Sequence, residues 1–201
     1  HNRCRRQRQM CIRDSGTVVK IVSNLLISGL FFSIASFINA EELIIGKGNL
    51  SNDINIVFEA APKDTLYNNA REVLSEKETD IHIESLVNWN NDIDISGQLP
   101  EAFIPYLIII SEITNENTTE KSTVELTPHI NLSDGFHYAE NIKLPGLRSD
   151  TYKIKFTVSI DEKKLTYHND WKELYSYPLF DEKEFEYSNL DFEKMAEAVR
   201  N

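Results

Sequence analysis

Short segments of alternating apolar and polar residues, separated by polar turns, constrain the fold of this chain more than any other feature. Turn-forming residues cluster between several of these segments, as in residues 115–119 and 145–150. Because successive side chains of a strand point to opposite faces, this pattern predicts half-buried strands, and seven of them predict an antiparallel β-sandwich. The predicted strands are residues 54–60, 79–87, 104–114, 122–128, 138–144, 152–160 and 182–187.

Only residues 190–200 have a helical pattern of apolar residues. Phe192, Met195, Ala196 and Val199 would share one face of a helix. The sequence therefore predicts an all-β domain that ends in a short helix.

Residues 1–15 differ in composition from the rest of the chain. They are strongly basic and contain both cysteines, Cys4 and Cys11. This segment resembles translated sequencing-adapter sequence, so we treat it as an artefact and leave it out of the fold. The alternative is a basic arm that binds nucleic acid or lipid.

Residues 16–40 have the pattern of a secretory signal peptide. Lys20 precedes an apolar run over residues 21–38, and Ala40 precedes an acidic pair that begins at Glu41. A positive start, an apolar centre and a small residue before a polar switch predict cleavage after Ala40. The alternative is a retained membrane anchor, for which so short a run is marginal. Either interpretation predicts secretion, with no stable membrane insertion of the cleaved chain.

Residues 41–201 have the length of one domain and are strongly acidic. The whole chain has a formal net charge of −11, and residues 1–40 contain six Lys or Arg and one Asp, so residues 41–201 carry −16. Such a surface repels nucleic acid and anionic membranes and attracts cations. This part also has no cysteine, so its stability must come from a hydrophobic core.

Four histidines follow the first third of the chain, each in a predicted strand or in a loop between strands, and two have acidic companions. His82 and Glu84, two positions apart on a strand, would point to the same face. Imidazoles and carboxylates that converge from separate strands are the donors that a first-row transition metal requires. The alternative is a set of independent surface residues. The candidate metal ligands are His82, Glu84, His129, Asp134, His137 and His168.

Four motifs in order and spacing resemble the periplasmic iron(II)-transport protein family of bacterial high-affinity iron uptake. They are DIHIE at 80–84, FIPYLII at 103–109, DGFHYAENI at 134–142 and YKIKF at 152–156. The resemblance implies an immunoglobulin-like sandwich, a periplasmic homodimer, an inner-membrane iron permease as partner, and a copper site whose donors also serve iron or lie beside an iron site.

By position, the resemblance makes His82, Glu84, Asp134 and His137 ligands. His168 matches the family's late histidine, with a gap in the alignment. If Pro128 aligns with the proline of the family's Met-Pro-Met, His129 replaces the second methionine, and this requires one extra residue before Asp134.

Imidazole in place of the thioether favours Cu(II), Fe, Zn or Ni over Cu(I). We therefore expect three or four imidazoles with one or two carboxylates. Because imidazole binds metal only when neutral, affinity should fall as the pH drops toward and below about 6.5.

These observations favour a binding and transport component rather than an enzyme. Two alternatives stay open: a copper-dependent redox protein that acts on iron, and a secreted structural or adhesive sandwich with incidental histidines. Ferrous oxidation by copper-loaded protein, and equilibrium dialysis with metal, distinguish the three.

Overall fold

The computed structural model describes residues 42–198, which form eight antiparallel strands and two short helices. The elements are β1 (Leu43–Asn49), β2 (Ile54–Ala61), β3 (Ile81–Trp89), β4 (Leu107–Asn115), β5 (Lys121–Asn131), β6 (Gly135–Ile142), β7 (Thr151–Ile160), α1 (Asn169–Leu174), β8 (Lys183–Asp191) and α2 (Glu193–Glu197). This architecture confirms the predicted all-β, immunoglobulin-like sandwich with a short C-terminal helix.

The strands follow one another in the order β1-β2-β3-β6-β5-β4-β7-β8, and all pairs are antiparallel. Strand β5 belongs to both layers of the sandwich. Residues 121–126 pair with β4, whereas residues 127–131 pair with β6. The two layers are therefore joined through one long strand.

Aromatic rings from the two layers meet in the core. Phe58 of β2 stacks on Phe156 of β7, with ring centroids 3.9 Å apart. The buried Tyr138 hydroxyl of β6 donates to the Ile104 carbonyl and accepts from the Leu107 amide. These contacts hold β6, which carries one of the candidate ligands, against the opposite layer.

Strand β1 was not among the predicted strands. Its residues run Leu-Ile-Ile-Gly-Lys-Gly-Asn, a sequence without regular alternation. It forms because it pairs along β2, from Leu43 opposite Ala60 to Asn49 opposite Asn55. An edge strand of this kind is defined by its partner more than by its own pattern.

The C-terminal helix is shorter than predicted. Leu190 and Asp191 belong to β8, and α2 contains only five residues. Phe192, Met195 and Ala196 are buried as the apolar stripe predicts, while Val199 lies outside the described residues. Helix α1 was not predicted either, since the sequence predicts a helix only over residues 190–200.

The adapter-like segment and the predicted signal peptide, residues 1–40, also lie outside the described residues. Among residues 42–198, no helix has the length and apolar character needed to cross a membrane.

Candidate metal centre

Buried polar side chains lie on the outer face of the β2-β3-β6-β5 layer. Along β3, Ile81 and Ile83 face the core, so His82 and Glu84 face outward. In the register with β6, His82 lies opposite Asn141. The strand pairing thus brings residues from distant parts of the sequence to one surface.

Three of the four predicted histidines meet on this face. Their ring nitrogens lie within 4.8 Å of one another, in a group of His82, His129 and His137. The His129 ring centroid is 5.5 Å from that of His82 and 6.0 Å from that of His137. His129 and His137 are direct partners in the β5–β6 register. We call this group the histidine trio.

A backbone carbonyl defines which nitrogen of His137 faces the trio. Its Nδ1 lies 3.1 Å from the Gly135 carbonyl oxygen, which can only accept a hydrogen bond. Nδ1 must therefore carry the proton, and the lone pair of the neutral ring is on Nε2. A hydrogen bond from the non-ligating nitrogen is how proteins orient metal-binding imidazoles.

His129 is held in its neutral form. Burial, followed by electrostatic interactions with His137 and Arg71, lowers the pKa of His129 to about 4. The Arg71 guanidinium is itself fixed by hydrogen bonds to Thr127 and Glu140. Because its pKa is so low, His129 presents a neutral ring well below pH 6.5 and can bind a cation without releasing a proton.

Beside the trio lies a second group made of carboxylates. Oxygens of Glu42, Glu84 and Asp134 are within 4.8 Å of one another. Glu84 connects the two groups, because its Oε1 is 3.6 Å from Nε2 of His82 and its side chain is fully buried. We call this group the carboxylate triad.

A fourth acidic residue, Glu59, lies next to the triad. It is the cross-strand partner of Glu84 in the β2–β3 register. Burial, and then the negative charges of Glu42 and Asp134, raise the pKa of Glu59. The neighbouring carboxylates thus add to the effect of burial at this end of the face.

The turn between β5 and β6 orients Asp134. Its Oδ2 accepts hydrogen bonds from Asn131 Nδ2 at 2.6 Å and from Ser133 Oγ at 2.7 Å. Its amide donates to Asn131 Oδ1. The sequence grouped Asp134 with the histidines, whereas the structure places its carboxylate in the triad.

The trio opens into a cavity of about 330 Å³. One wall is formed by β5 and the trio itself, and the other by the irregular chain between β2 and β3. We call this chain, residues 62–80, the covering segment. It leaves His82 and His137 each only 1 % exposed.

The structure does not bring His168 to the trio. His168 is exposed at the start of α1 and lines a different cavity together with Trp89. Trp89 ends β3 and His82 lies near its start, so the two cavities are separated by about 23 Å of strand.

Sequence reasoning missed Glu42 and Glu59. Glu59 occupies an outward position of a predicted strand, which was a weak signal for it. Glu42 precedes β1, the strand that the pattern did not reveal. Their proximity to Glu84 arises only from the pairing of β1, β2 and β3.

The donor chemistry of the two groups differs. Three imidazoles suit Cu(II), iron, zinc or nickel, while carboxylate oxygens suit harder divalent cations, and carboxylate-rich sites also hold iron in proteins. No thioether joins the trio, since Met195, the methionine among the described residues, packs in the hydrophobic core. The face can thus offer two adjacent cations different sets of ligands.

A sequence model of the Fe²⁺ transport protein family matches residues 39–194. A comparison with curated protein sequences gives no match.

Several solved structures share the fold. A copper-bound variant of FetP from uropathogenic Escherichia coli strain F11 is 21% identical, with a TM-score of 0.61 over 74% of this chain and 95% of that chain. A copper-bound variant of Campylobacter jejuni P19 is 24% identical, with a TM-score of 0.62 over 74% and 96%. Copper-reconstituted P19 from the same organism is 22% identical, with a TM-score of 0.61 over 74% and 94%.

Proposed function

The chain belongs to the Fe²⁺ transport protein family, and from this premise we propose that it is a periplasmic protein that binds copper and iron(II) during high-affinity iron uptake. The observation that carries the proposal is the contact between two different donor groups. The histidine trio and the carboxylate triad meet where His82 Nε2 lies 3.6 Å from Glu84 Oε1. If the histidines had no role in metal binding, nothing would require a group of carboxylates in contact with them.

We assign copper to the trio and iron to the triad. His82, His129 and His137 would hold copper, in keeping with the copper-bound solved structures that share the fold. When bound, copper supplies a redox-active cation beside the triad. Glu42, Glu84 and Asp134 would hold iron(II) as cargo, since their charges offset those of a divalent cation. Hydrogen bonds orient the imidazoles of His82 and His137, and both rings are almost fully buried beside the covering segment.

Titration of single-site variants with each metal tests this assignment. His82→Ala and His137→Ala should weaken Cu(II) binding at least about tenfold, since even loss of a partner behind a ligand costs about 10–100-fold. Glu42→Gln and Asp134→Asn should weaken anaerobic Fe(II) binding by a similar factor and change Cu(II) binding less. Isothermal titration calorimetry and elemental analysis provide the measurements.

The matched control is Glu120→Gln, an exposed carboxylate at the β4–β5 turn in the other layer. It should leave both affinities unchanged. Equal loss of both metals in every triad and trio variant would contradict two sites. Absence of tight metal binding by the wild-type protein would favour the structural or adhesive alternative.

The adjacency of the two groups favours one second candidate, a copper-dependent redox protein that acts on iron. Copper and iron held on neighbouring donors would be close enough to exchange an electron. Ferrous oxidation by copper-loaded protein should then exceed that by an equal amount of free copper, and Glu84→Gln should reduce the excess. Equal rates of ferrous oxidation by protein-bound and free copper would contradict a redox role and support metal binding as the sole function.

We propose that His168 is a ligand of the metal held by the histidine trio in a second copy of the chain. This keeps it as a metal ligand although it lines a different cavity in its own chain. It also requires the homodimer that the family resemblance implies. Sedimentation velocity should show a dimer, and His168→Ala should weaken Cu(II) binding.

A complementation experiment separates this arrangement from a remote structural effect. His82→Ala and His168→Ala proteins are unfolded together, refolded as a mixture, and titrated with Cu(II). A mixed dimer would contain one complete site, so the mixture should regain tight binding that neither variant has alone. No recovery would remove His168 from the ligand set.

Periplasmic export and transfer to an inner-membrane iron permease complete the proposal. N-terminal sequencing of exported protein should find Glu41 as the first residue. Iron uptake by cells should depend on both the protein and the permease, and normal uptake with the Asp134→Asn variant would contradict a role of the triad in transport.

A further inference from the structure

The side chain of Asn141 connects His82 with the covering segment. Asn141 lies on β6 opposite His82, is 4 % exposed, and has hydrogen bonds on both ends of its amide. Its Nδ2 lies 2.8 Å from the Asp64 carbonyl oxygen and 3.0 Å from the Leu74 carbonyl oxygen. Its Oδ1 lies 2.9 Å from Nδ1 of His82.

These partners determine the orientation of the amide. Carbonyl oxygens only accept hydrogen bonds, so the two oxygens of the covering segment must face the NH₂ group of Asn141. The opposite orientation would place an acceptor against two acceptors. The amide oxygen therefore faces His82.

The same argument determines which ring nitrogen of His82 carries the proton. An amide oxygen needs a donor, so the neutral His82 ring must carry its proton on Nδ1. Its lone pair is then on Nε2, the nitrogen that faces Glu84. Without Asn141, the Glu84 carboxylate would favour the other tautomer, with the proton on Nε2, because Glu84 is the acceptor on that side.

We propose that Asn141 is a positioning residue that holds His82 in its metal-binding tautomer and links that state to the closed position of the covering segment. This inference rests on the proposed function of His82 as a metal ligand. A single amide does both tasks: its oxygen selects the tautomer, and its NH₂ group holds two points of the segment, Asp64 and Leu74. Removal of both ends of this amide should therefore affect the His82 tautomer and the covering segment together.

Two substitutions separate the two tasks. Asn141→Asp keeps an oxygen acceptor for His82 but cannot donate to the two carbonyl oxygens when ionised. Asn141→Leu has a similar shape and offers His82 no acceptor. Asn115→Asp is the matched control, because buried Asn115 donates from Nδ2 to the Pro145 carbonyl oxygen and to Asp150 in the other layer.

The first measurement is the tautomer of His82 in metal-free protein at pH 8, read from ¹⁵N–¹H correlations of the imidazole ring. We expect His82 to carry its proton on Nδ1 in wild type, Asn141→Asp and Asn115→Asp. In Asn141→Leu we expect the proton on Nε2 of His82. An unchanged tautomer in Asn141→Leu would overturn the proposal. This readout uses no metal, so its failure is distinguishable from a failure of the proposed function.

The second measurement is hydrogen exchange of residues 62–80, followed by Cu(II) titration. Asn141→Asp and Asn141→Leu should both lose protection of this segment, and Asn115→Asp should not. Cu(II) affinity should fall about 10–100-fold in Asn141→Leu, as for other partners that orient a metal-binding histidine, and less in Asn141→Asp. Unchanged protection in both Asn141 variants would overturn the link to the covering segment.

Discussion

At the scale of single residues, the environment of His129 has a consequence for stability. Its pKa is about 4 in the folded protein and about 6.5 in an unfolded chain, so folding favours the neutral ring. The resulting stability is fully present above pH 6.5 and is lost as the pH falls from 6.5 to 4, because the unfolded state then binds more protons.

We therefore expect wild type to lose about 1–2 kcal/mol more free energy of unfolding than His129→Gln between pH 7 and pH 4.5. This free-energy difference is smaller than the full shift of the His129 pKa would give, because the ring is partly exposed and solvent screens its interactions. Urea unfolding of both metal-free proteins at the two pH values measures the difference. Parallel losses in the two proteins would mean that His129 is not held neutral by the fold.

The identity of residue 129 should also set the preferred oxidation state of copper. His129→Met would replace an imidazole of the trio with a thioether, and soft sulfur favours Cu(I). We expect the ratio of Cu(I) to Cu(II) affinity to rise at least about tenfold, which corresponds to about 1.4 kcal/mol. Competition with chelators specific for each oxidation state measures this ratio.

Leu99→Met is the control, since it adds a thioether at an exposed position outside the proposed ligand set. A strong Cu(I) preference of the wild-type protein that survives His129→Ala would show that this position does not set selectivity.

At the scale of elements, the β5–β6 hairpin decides the geometry of the trio. Gly135 begins β6 with a φ of 68°, a conformation that strains β-branched residues, and its carbonyl accepts from His137 Nδ1. Gly135→Val should lower the free energy of unfolding by about 1–3 kcal/mol and weaken Cu(II) binding, because the register that pairs His129 with His137 begins at this residue.

Gly135→Asn is the matched variant, since asparagine tolerates this conformation and a Cβ here meets no atom within 4 Å. It should cost less stability and retain most of the Cu(II) affinity. Chemical denaturation and calorimetry measure both quantities, and equal effects of the two substitutions would show that backbone conformation is not the cause.

At the scale of the whole molecule, the two edge strands of the sandwich approach each other. A Cβ at Gly46 of β1 would lie 2.1 Å from the Tyr187 ring of β8. We expect Gly46→Ala to lower the free energy of unfolding by about 1–3 kcal/mol, the usual cost of overpacking.

The penalty should shrink when Tyr187 is also replaced by Ala, and a double-mutant cycle by urea unfolding measures this coupling. Gly97→Ala is the control, because a Cβ there contacts nothing within 4 Å and only the positive φ contributes a cost. Additive effects of Gly46→Ala and Tyr187→Ala would show that the two edges do not pack closely.

The sequence by itself determined the all-β class and the placement of neighbouring side chains. Alternation along a strand is a property of local backbone geometry, so the shared face of His82 and Glu84 could be predicted from their spacing. His137 and Asp134 were candidate ligands from their residue types and spacing, and the family motifs matched both positions. Strand β1 escaped prediction because its residues lack that alternation and it depends on pairing with β2.

Only the tertiary structure decided which of the candidate residues meet. The pairing of His129 with His137, the approach of Glu42 and Glu59 to Glu84, and the contact of Asn141 with His82 all depend on strand register. His168 lies at the start of α1, outside the strands, and lines a different cavity. Register arises from the packing of residues distant in sequence, and a one-residue slip would turn every side chain of a strand to the opposite face.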